Sequence, residues 1–372
     1  MSVLWGILGL GFLVFFHELG HYIAARICGV TVEAFSIGMG PVLFHKETGG
    51  TDYRISLIPL GGYCSMKGEK DFQDAIESKS SCINGAPDSF YGVHPLKRLA
   101  IAFAGPFANV LFSFLALTVV ACVGYSYYSA GTKVSMADEV FEGTVSPAHI
   151  AGMQSGDEII SIDGKKTEDF SQIYEIVGSS PDKVLKIEVN RNGTTLFFDV
   201  KSELDKTSGG GKIGIVSDPD SVVKREYPPR NIFKAFAEGF SRTADILILT
   251  VKSVSTLFKG VDVTNAVSGP VRITTILGDG IKEGFSAGFR EGLASTFELL
   301  SLISISLFLT NLLPVPVLDG GLILFAFIEW VSGKKLHPKF LYYIQFVGLA
   351  IVGSLVVFAL AGDIFYFTGG SK

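Results

Sequence analysis

No basic block, and no run of arginines interleaved with aromatic side chains, occurs in this 372-residue sequence, which excludes the charged groove of a nucleic-acid-binding protein. Charge is scarce altogether: 31 basic and 36 acidic residues make up 18% of the chain and leave a net charge of -5. Cysteine is rare as well. Cys28, Cys64, Cys82 and Cys122 have no CxxC spacing and lie in or beside apolar segments, so they read as small apolar side chains and say little about redox compartment. Met1 to Phe16 lack both a basic n-region and an A-x-A cleavage site, so the first apolar run reads as a retained helix and not a signal peptide.

What the chain has in excess is apolar side chain: 48% hydrophobic residues, 30 of them phenylalanine, and a mean hydropathy of +0.42. That places it among membrane proteins. A spanning helix needs about 20 mostly apolar residues. Four stretches meet this: Val3 to Ile27, Leu99 to about Tyr125, Leu293 to about Trp330, and Leu341 to about Phe367. The third is too long for one straight helix and is broken at Pro314 and Pro316, which withdraw backbone donors. A break of that kind is tolerated at membrane depth only where protein or a wet cavity covers it. Lys334, Lys335 and Lys339 between the last two spans, Arg26 after the first and Lys97 and Arg98 before the second place those loops in the cytoplasm. Both termini and the long insert then lie outside.

Residues from about Thr132 to Pro229 form the soluble-looking insert. Asp163-Gly164 and Asn192-Gly193 are hairpin signals, each set between alternating strand-like runs, which predicts a small β-rich domain. After the flexible SGGGK patch, residues 231 to 260 mix Phe233, Phe236, Phe240 and Leu247 with Lys234, Glu238, Arg242 and Lys252. This predicts an amphipathic helix lying in the membrane interface. The expected organisation is therefore a membrane region at 1–131, an extracytoplasmic insert at 132–229, an amphipathic interfacial segment at 230–290 and a second membrane region at 291–372.

The chemistry concentrates in HELGH, residues 17 to 21. On a helix His17 and His21 share one face and can bind one metal, with Glu18 beside them as a candidate base; the bland alternative is a polar helix end capped by lipid headgroups. Zinc suits nitrogen ligands in a tetrahedral site, and a catalytic site keeps one position for water. A third ligand is required. His45, His94, His149 and His337 have no matching partner and read as surface histidines. The better candidate is Asp319 in NLLPVPVLDGG, a carboxylate inside an apolar span, whose alternative role is to cap a broken helix. At about 1.5 Å per residue both HELGH and Asp319 fall toward the cytoplasmic side of a core about 30 Å thick, so they can meet in one leaflet. Asn109, also within a span, is expected to make a helix-packing hydrogen bond.

Together these motifs resemble the site-2 protease family of intramembrane zinc metalloproteases, in particular its bacterial RseP-like branch. The resemblance is carried by HELGH, GMGP at 38 to 41, IPLGGY at 58 to 63, AGPFAN at 104 to 109, SGPVRI at 268 to 273 and NLLPVPVLDGG at 311 to 321. It implies a polytopic α-helical membrane protein with about four transmembrane helices, a broken third span, a membrane-associated β-hairpin and an inserted PDZ-like domain. It implies Zn2+ on His17, His21 and Asp319, Glu18 as the base, and Asn311 contacting the substrate backbone or stabilising the transition state. It also implies substrate contacts from Leu60, Gly61, Gly62 and Tyr63 on the hairpin and from Pro314 and Pro316. One departure stands out: the insert has room for a single PDZ domain where two are common, and no clear GLGF-type carboxylate-binding loop is evident.

The implied substrates are single-span membrane proteins already clipped outside the bilayer, such as anti-sigma factors or signal-peptide remnants. The implied location is the bacterial inner membrane, as a multi-pass protein. Two other classes remain open to the sequence. One is a non-catalytic membrane receptor or chaperone whose PDZ-like domain binds peptide tails. The other is a transporter with a metal site at membrane depth, which the lack of an inverted repeat disfavours.

Overall fold

The computed structural model describes residues 2–206, 209–257 and 268–368, so Ser208 of the SGGGK patch and residues 258–267 of the expected interfacial segment lie outside the described residues. The chain divides into two compact units: Met1–Val123, Arg230–Ile246 and Ser268–Lys372 in the first, Gly124–Pro229 and Leu247–Val267 in the second. The elements begin with α1 (Ser2–Cys28), β1 (Val32–Thr48), β2 (Thr51–Met66), α2 (Glu69–Glu77) and α3 (Pro95–Val123). Next come β3 (Tyr125–Ser129), β4 (Val134–Met136), α4 (Ala137–Val140), α5 (Pro147–Ile150), β5 (Glu158–Ile162), β6 (Lys165–Lys166) and α6 (Phe170–Gly178). They are followed by β7 (Val184–Arg191), β8 (Thr194–Lys201), β9 (Glu203–Leu204), β10 (Gly211–Lys212), β11 (Ile215–Ser217) and β12 (Val223–Tyr227). The chain continues through α7 (Ile232–Leu257), α8 (Pro270–Ala287), α9 (Phe289–Asn311), α10 (Asp319–Ser332) and α11 (Pro338–Phe367).

Four of these helices, α1, α3, α9 and α11, are long and apolar enough to cross a membrane. The expected third span, Leu293 to Trp330, resolves into two helices. Asn311 ends α9, residues 312–318 turn with Pro314 and Pro316 among them, and Asp319 starts α10. Each proline both lacks an amide and pushes its predecessor out of helical conformation, so a single bent helix is ruled out.

The helices of the first unit meet where glycine lets them. A Cβ on Gly6 of α1 would run into the Thr274 carbonyl of α8, and one on Gly278 of α8 into the Ser2 carbonyl. Leu13, Phe112, Leu277, Ile281 and Leu300 fill the core beside this contact. The second half of the segment expected to lie in the interface, 268–287, is thus packed helix. The sequence disguised it because its small residues, which permit the approach, look polar. Asp363 of α11 caps α8, accepting from the backbone N–H of Gly269 at 2.8 Å, Val271 at 2.9 Å and Arg272 at 3.2 Å. That accounts for SGPVRI: Pro270 starts the helix where no amide is needed, and the orphan donors around it find a carboxylate from a distant helix. The predicted amphipathic helix forms as α7, and Phe236 packs its ring 5.5 Å from that of Phe114 on α3.

The β1–β2 hairpin is folded over on itself. Ala34 to Ile37 lie between two stretches of β2, in register with Asp52 to Ile55 on one side and with Ser65 to Gly62 on the other. Gly38 and Gly40, at φ of 86° and 82°, turn the chain out of this central strand. GMGP is therefore a bend, since left-handed φ is open mainly to glycine. Residues 62–66 form one edge of the sheet.

In the second unit β6, β5, β7 and β8 form one sheet in that order. Ile159, Ile162, Leu185, Ile187, Val189 and Val200 pack its inner face against Ile173 and Val177 of α6. Asp163-Gly164 and Asn192-Gly193 turn as read, all four at positive φ, which is what a two-residue hairpin turn requires. The unit begins at Gly124, ahead of the expected Thr132, because β3 pairs with β12, Tyr125 opposite Tyr227. A groove of about 620 Å³ runs along α6, lined by Phe170, Ile173 and Tyr174 on one side and Ile213 and Ile215 on the other. Gly214, at φ 70°, turns the chain between Ile213 and Ile215 at the groove.

α3 and α10 are joined by a buried ion pair. Arg98 Nη2 donates to Glu329 Oε2, Glu329 Oε1 accepts from the Leu336 backbone N–H at 2.7 Å, and the guanidinium lies 5.9 Å from the centre of the Tyr91 ring. Both side chains are under a tenth exposed. Removing one charge from such a pair strands the other, at a cost of about 3–5 kcal/mol. Glu329→Gln is expected to unfold at clearly lower temperature in detergent, while the paired replacement of Arg98 by Met and Glu329 by Leu recovers most of the loss. An unchanged melt for the single variant would contradict this.

Candidate metal centre

α1 presents His17 and His21 one turn apart, both buried, and the start of α10 brings Asp319 against them. His17 Nε2 lies 3.1 Å from Asp319 Oδ2, His21 Nε2 lies 3.3 Å from Asp319 Oδ1, and the two Nε2 atoms are 3.2 Å apart. Two bonds of about 2.0–2.1 Å meeting at a tetrahedral angle span about 3.3 Å, so the three side chains have the spacing of zinc ligands. They are the group of His, Cys, Asp or Glu residues among the described residues whose donor atoms converge within 4.8 Å. Asp319 is the first residue of α10, where a carboxylate also faces the positive end of the helix dipole.

α3 supplies the back wall, and AGPFAN explains how. His21 Nδ1 donates to the Ile101 carbonyl at 2.8 Å, which leaves Nε2 as the bare nitrogen, turned toward Asp319. Gly105 has to be glycine because a Cβ there would overlap the His21 ring; in the same way Gly20 lets α1 lie on the Ala104 carbonyl. Pro106 withholds the amide that would otherwise bond the Ala102 carbonyl, and Ala102 lines the cavity. Asn109, fully buried, spends its side chain on a hydrogen bond between helices, as expected, and its partner on α1 is His17, with Nδ2 3.2 Å from Nδ1. Its backbone makes a second such bond, the carbonyl accepting from Ser304 Oγ of α9 at 2.9 Å. A buried amide in an apolar span was the available signal; the sequence could not show that it faces His17 across 92 residues.

A cavity of about 360 Å³ opens over the three ligands. Glu18 lies on its wall, as does Cys64 on the edge strand of the hairpin. Gly62 sits close by: a Cβ there would be 3.6 Å from Glu18 Cγ. Tyr63 lines the cavity and accepts from Arg54 Nη1 at 2.9 Å through its hydroxyl. Gly61, at φ 103°, turns the strand over the Met39 side chain, and the side chain of Leu60 lies outside the described residues. Asn311, Val317 and Leu318 complete the wall, whereas Pro314 and Pro316 lie in the turn between them and shape it without lining it. The Cys64 thiol also faces the cavity, but burial and the nearby Glu18 charge push it up to about 12, so it stays a neutral thiol beside the ligands.

The DGG glycines matter for the same reason as Gly105. A Cβ on Gly320 would strike the Leu312 and Leu313 carbonyls, and one on Gly321 the Val315 carbonyl, so only glycine lets α10 start against the preceding turn and hold Asp319 in place. Gly105→Ala is expected to displace the His21 ring and cut the zinc content of purified protein well below stoichiometric, measured by elemental analysis. Full zinc in that variant would mean the ring has room to spare.

A family profile described as peptidase family M50 matches residues 5–355. A protein of Treponema pallidum named as a zinc metalloprotease is 35% identical, covering 98% of this chain and 99% of its own length. An Agrobacterium fabrum protein of similar name is 33% identical over 96% of this chain and 94% of its own. Among solved structures, the HtrA3 PDZ domain bound to a phage-derived ligand is similar to 21% of this chain and covers 86% of that domain, at 23% identity and a TM-score of 0.15. The ligand set, its spacing and these relatives agree: this multi-pass membrane protein belongs to peptidase family M50 and is a zinc metalloprotease.

Proposed function

We propose that the protein cleaves single-span membrane proteins within their transmembrane segments, and that His17, His21 and Asp319 hold its zinc. The observation that carries this reading is the position of Glu18, on the wall of the cavity that His17, His21 and Asp319 also line, beside Gly62, Tyr63 and Cys64 of the hairpin sheet. Bound zinc acidifies water and polarises a peptide carbonyl. Glu18 takes the proton of the attacking water and delivers it to the leaving amine. Asn311, which also lines the cavity, is suited to hold the substrate backbone through its side-chain amide.

A substrate helix is closed to attack because its backbone is bonded internally. Residues 62–66, at one edge of the sheet, offer backbone groups to a strand laid beside them, so the substrate unwinds and pairs there, next to the base. This assigns Gly61, Gly62 and Tyr63 to substrate positioning by the edge itself. The second unit is read as a PDZ-like domain. Its groove, with the apolar lining of α6 and the turn at Ile213-Gly214-Ile215, favours capture of an extended peptide over size filtering alone. The basic loops favour a bacterial inner membrane orientation with that unit and both termini outside.

The deciding experiment is cleavage of a single-span substrate in vesicles by Glu18→Gln. Cleavage is expected to fall by about 10²–10⁴-fold with zinc retained, the contribution typical of a positioned acid–base group. A variant that cuts at the wild-type rate would overturn the assignment. Helix-breaking residues placed in the substrate span are expected to raise cleavage several-fold, and equal cutting of a stiff poly-leucine span would exclude the unwinding step.

A further inference from the structure

We propose that Asn109 is a positioning residue for the metal centre, whose amide oxygen accepts the Nδ1 proton of His17 and so turns Nε2 toward the zinc as a free lone pair. The inference rests on His17 being a zinc ligand.

The two ligand histidines are held from behind by different groups. His21 has a backbone carbonyl, Ile101 O, at 2.8 Å from Nδ1. A carbonyl can only accept, so it fixes the proton on Nδ1 and leaves Nε2 bare. At the equivalent position behind His17 stands a side-chain amide, with one donor end and one acceptor end. Neutral imidazole carries one proton, and a metal on Nε2 requires that proton to be on Nδ1, where it needs an acceptor.

Asn109 can supply that acceptor without loss elsewhere. Its Nδ2 lies 3.2 Å from His17 Nδ1, and among the described residues its Oδ1 is buried with no hydrogen-bond partner. No other group therefore commits the oxygen to one direction. A half-turn of the amide exchanges Oδ1 and Nδ2 and remakes the same contact with its polarity reversed. The asparagine backbone is meanwhile tied to α9 through Ser304 Oγ, at 2.9 Å, so the amide turns on a fixed base. With Nδ2 toward Nδ1, His17 instead carries its proton on Nε2 and donates it to Asp319 Oδ2 at 3.1 Å. The amide thus decides between a His17 that binds Asp319 and a His17 that binds metal.

Two substitutions separate this role from simple packing. Asn109→Leu keeps the volume and removes the acceptor; Asn109→Asp keeps the volume and accepts only. A packing role predicts that Leu is tolerated and Asp, a buried charge, is harmful. A positioning role predicts the reverse order. Zinc affinity of the detergent-purified full chain, measured by competition with a chelator, is expected to fall about 10–100-fold in Asn109→Leu and to stay at or above wild type in Asn109→Asp. Wild-type affinity in Leu, or a weaker Asp than Leu, overturns the proposal. Asp319→Ala measured alongside tests the ligand assignment by itself: if it also binds zinc like wild type, both readings fall, whereas loss of zinc there with full affinity in Asn109→Leu removes Asn109 alone.

Discussion

Burying ionisable groups among apolar helices is the constraint on which the rest of the structure depends. An isolated carboxylate in such surroundings costs several kcal/mol or more unless it is paired and hydrogen-bonded. Here a carboxylate and two imidazoles converge within hydrogen-bonding distance, each imidazole with a further partner behind it. The cost is offset by convergence, and convergence demands that three helices from distant parts of the chain stand very close together. The glycines of AGPFAN and DGG, and Gly20 within HELGH, follow from that demand. Each stands where a methyl group would push a ligand-bearing backbone or ring away. The Arg98–Glu329 pair serves the same geometry at the other end of α10, fixing to α3 the helix whose first residue is Asp319.

The sequence announced whatever depends on local periodicity or on a motif with its own geometry. Four apolar runs, the one-turn spacing of His17 and His21, and the two hairpin turns in the insert were all readable in this way, because each is decided within a few residues. The proline break was readable as a break, though not as two separate helices. What could not be read depends on contacts between distant segments. The α8 helix looked amphipathic and interfacial because Thr274 and Gly278 register as weakly polar in sequence, whereas in space they are the surface on which α1 rests. Asn109 looked like one more polar residue in a span, since nothing in its neighbourhood points to a histidine 92 positions away. The β3–β12 pairing extended the inserted unit backwards for the same reason.

The site therefore divides into two kinds of residue. Those that carry reactive atoms were visible as motifs. Those that hold them still were not: the Ile101 carbonyl and the Asn109 amide are ordinary groups made special by position. Reactivity here is a property of side-chain type, and precision is a property of the backbone around it.

The free edge of the hairpin sheet has a consequence for selectivity. Residues 62–66 present peptide groups along the edge, which opens with Gly61 and Gly62 and continues through Tyr63, Cys64, Ser65 and Met66. Such an edge distinguishes poorly among side chains, because backbone hydrogen bonds are the same for every residue except proline. It distinguishes well between a segment that stays coiled and one that can be drawn out straight, since only the second has donors and acceptors to spare. On the proposed reading, such an edge sorts segments by the free energy needed to uncoil them, a mechanical property spread over a whole segment that no short consensus around the cut bond would reveal.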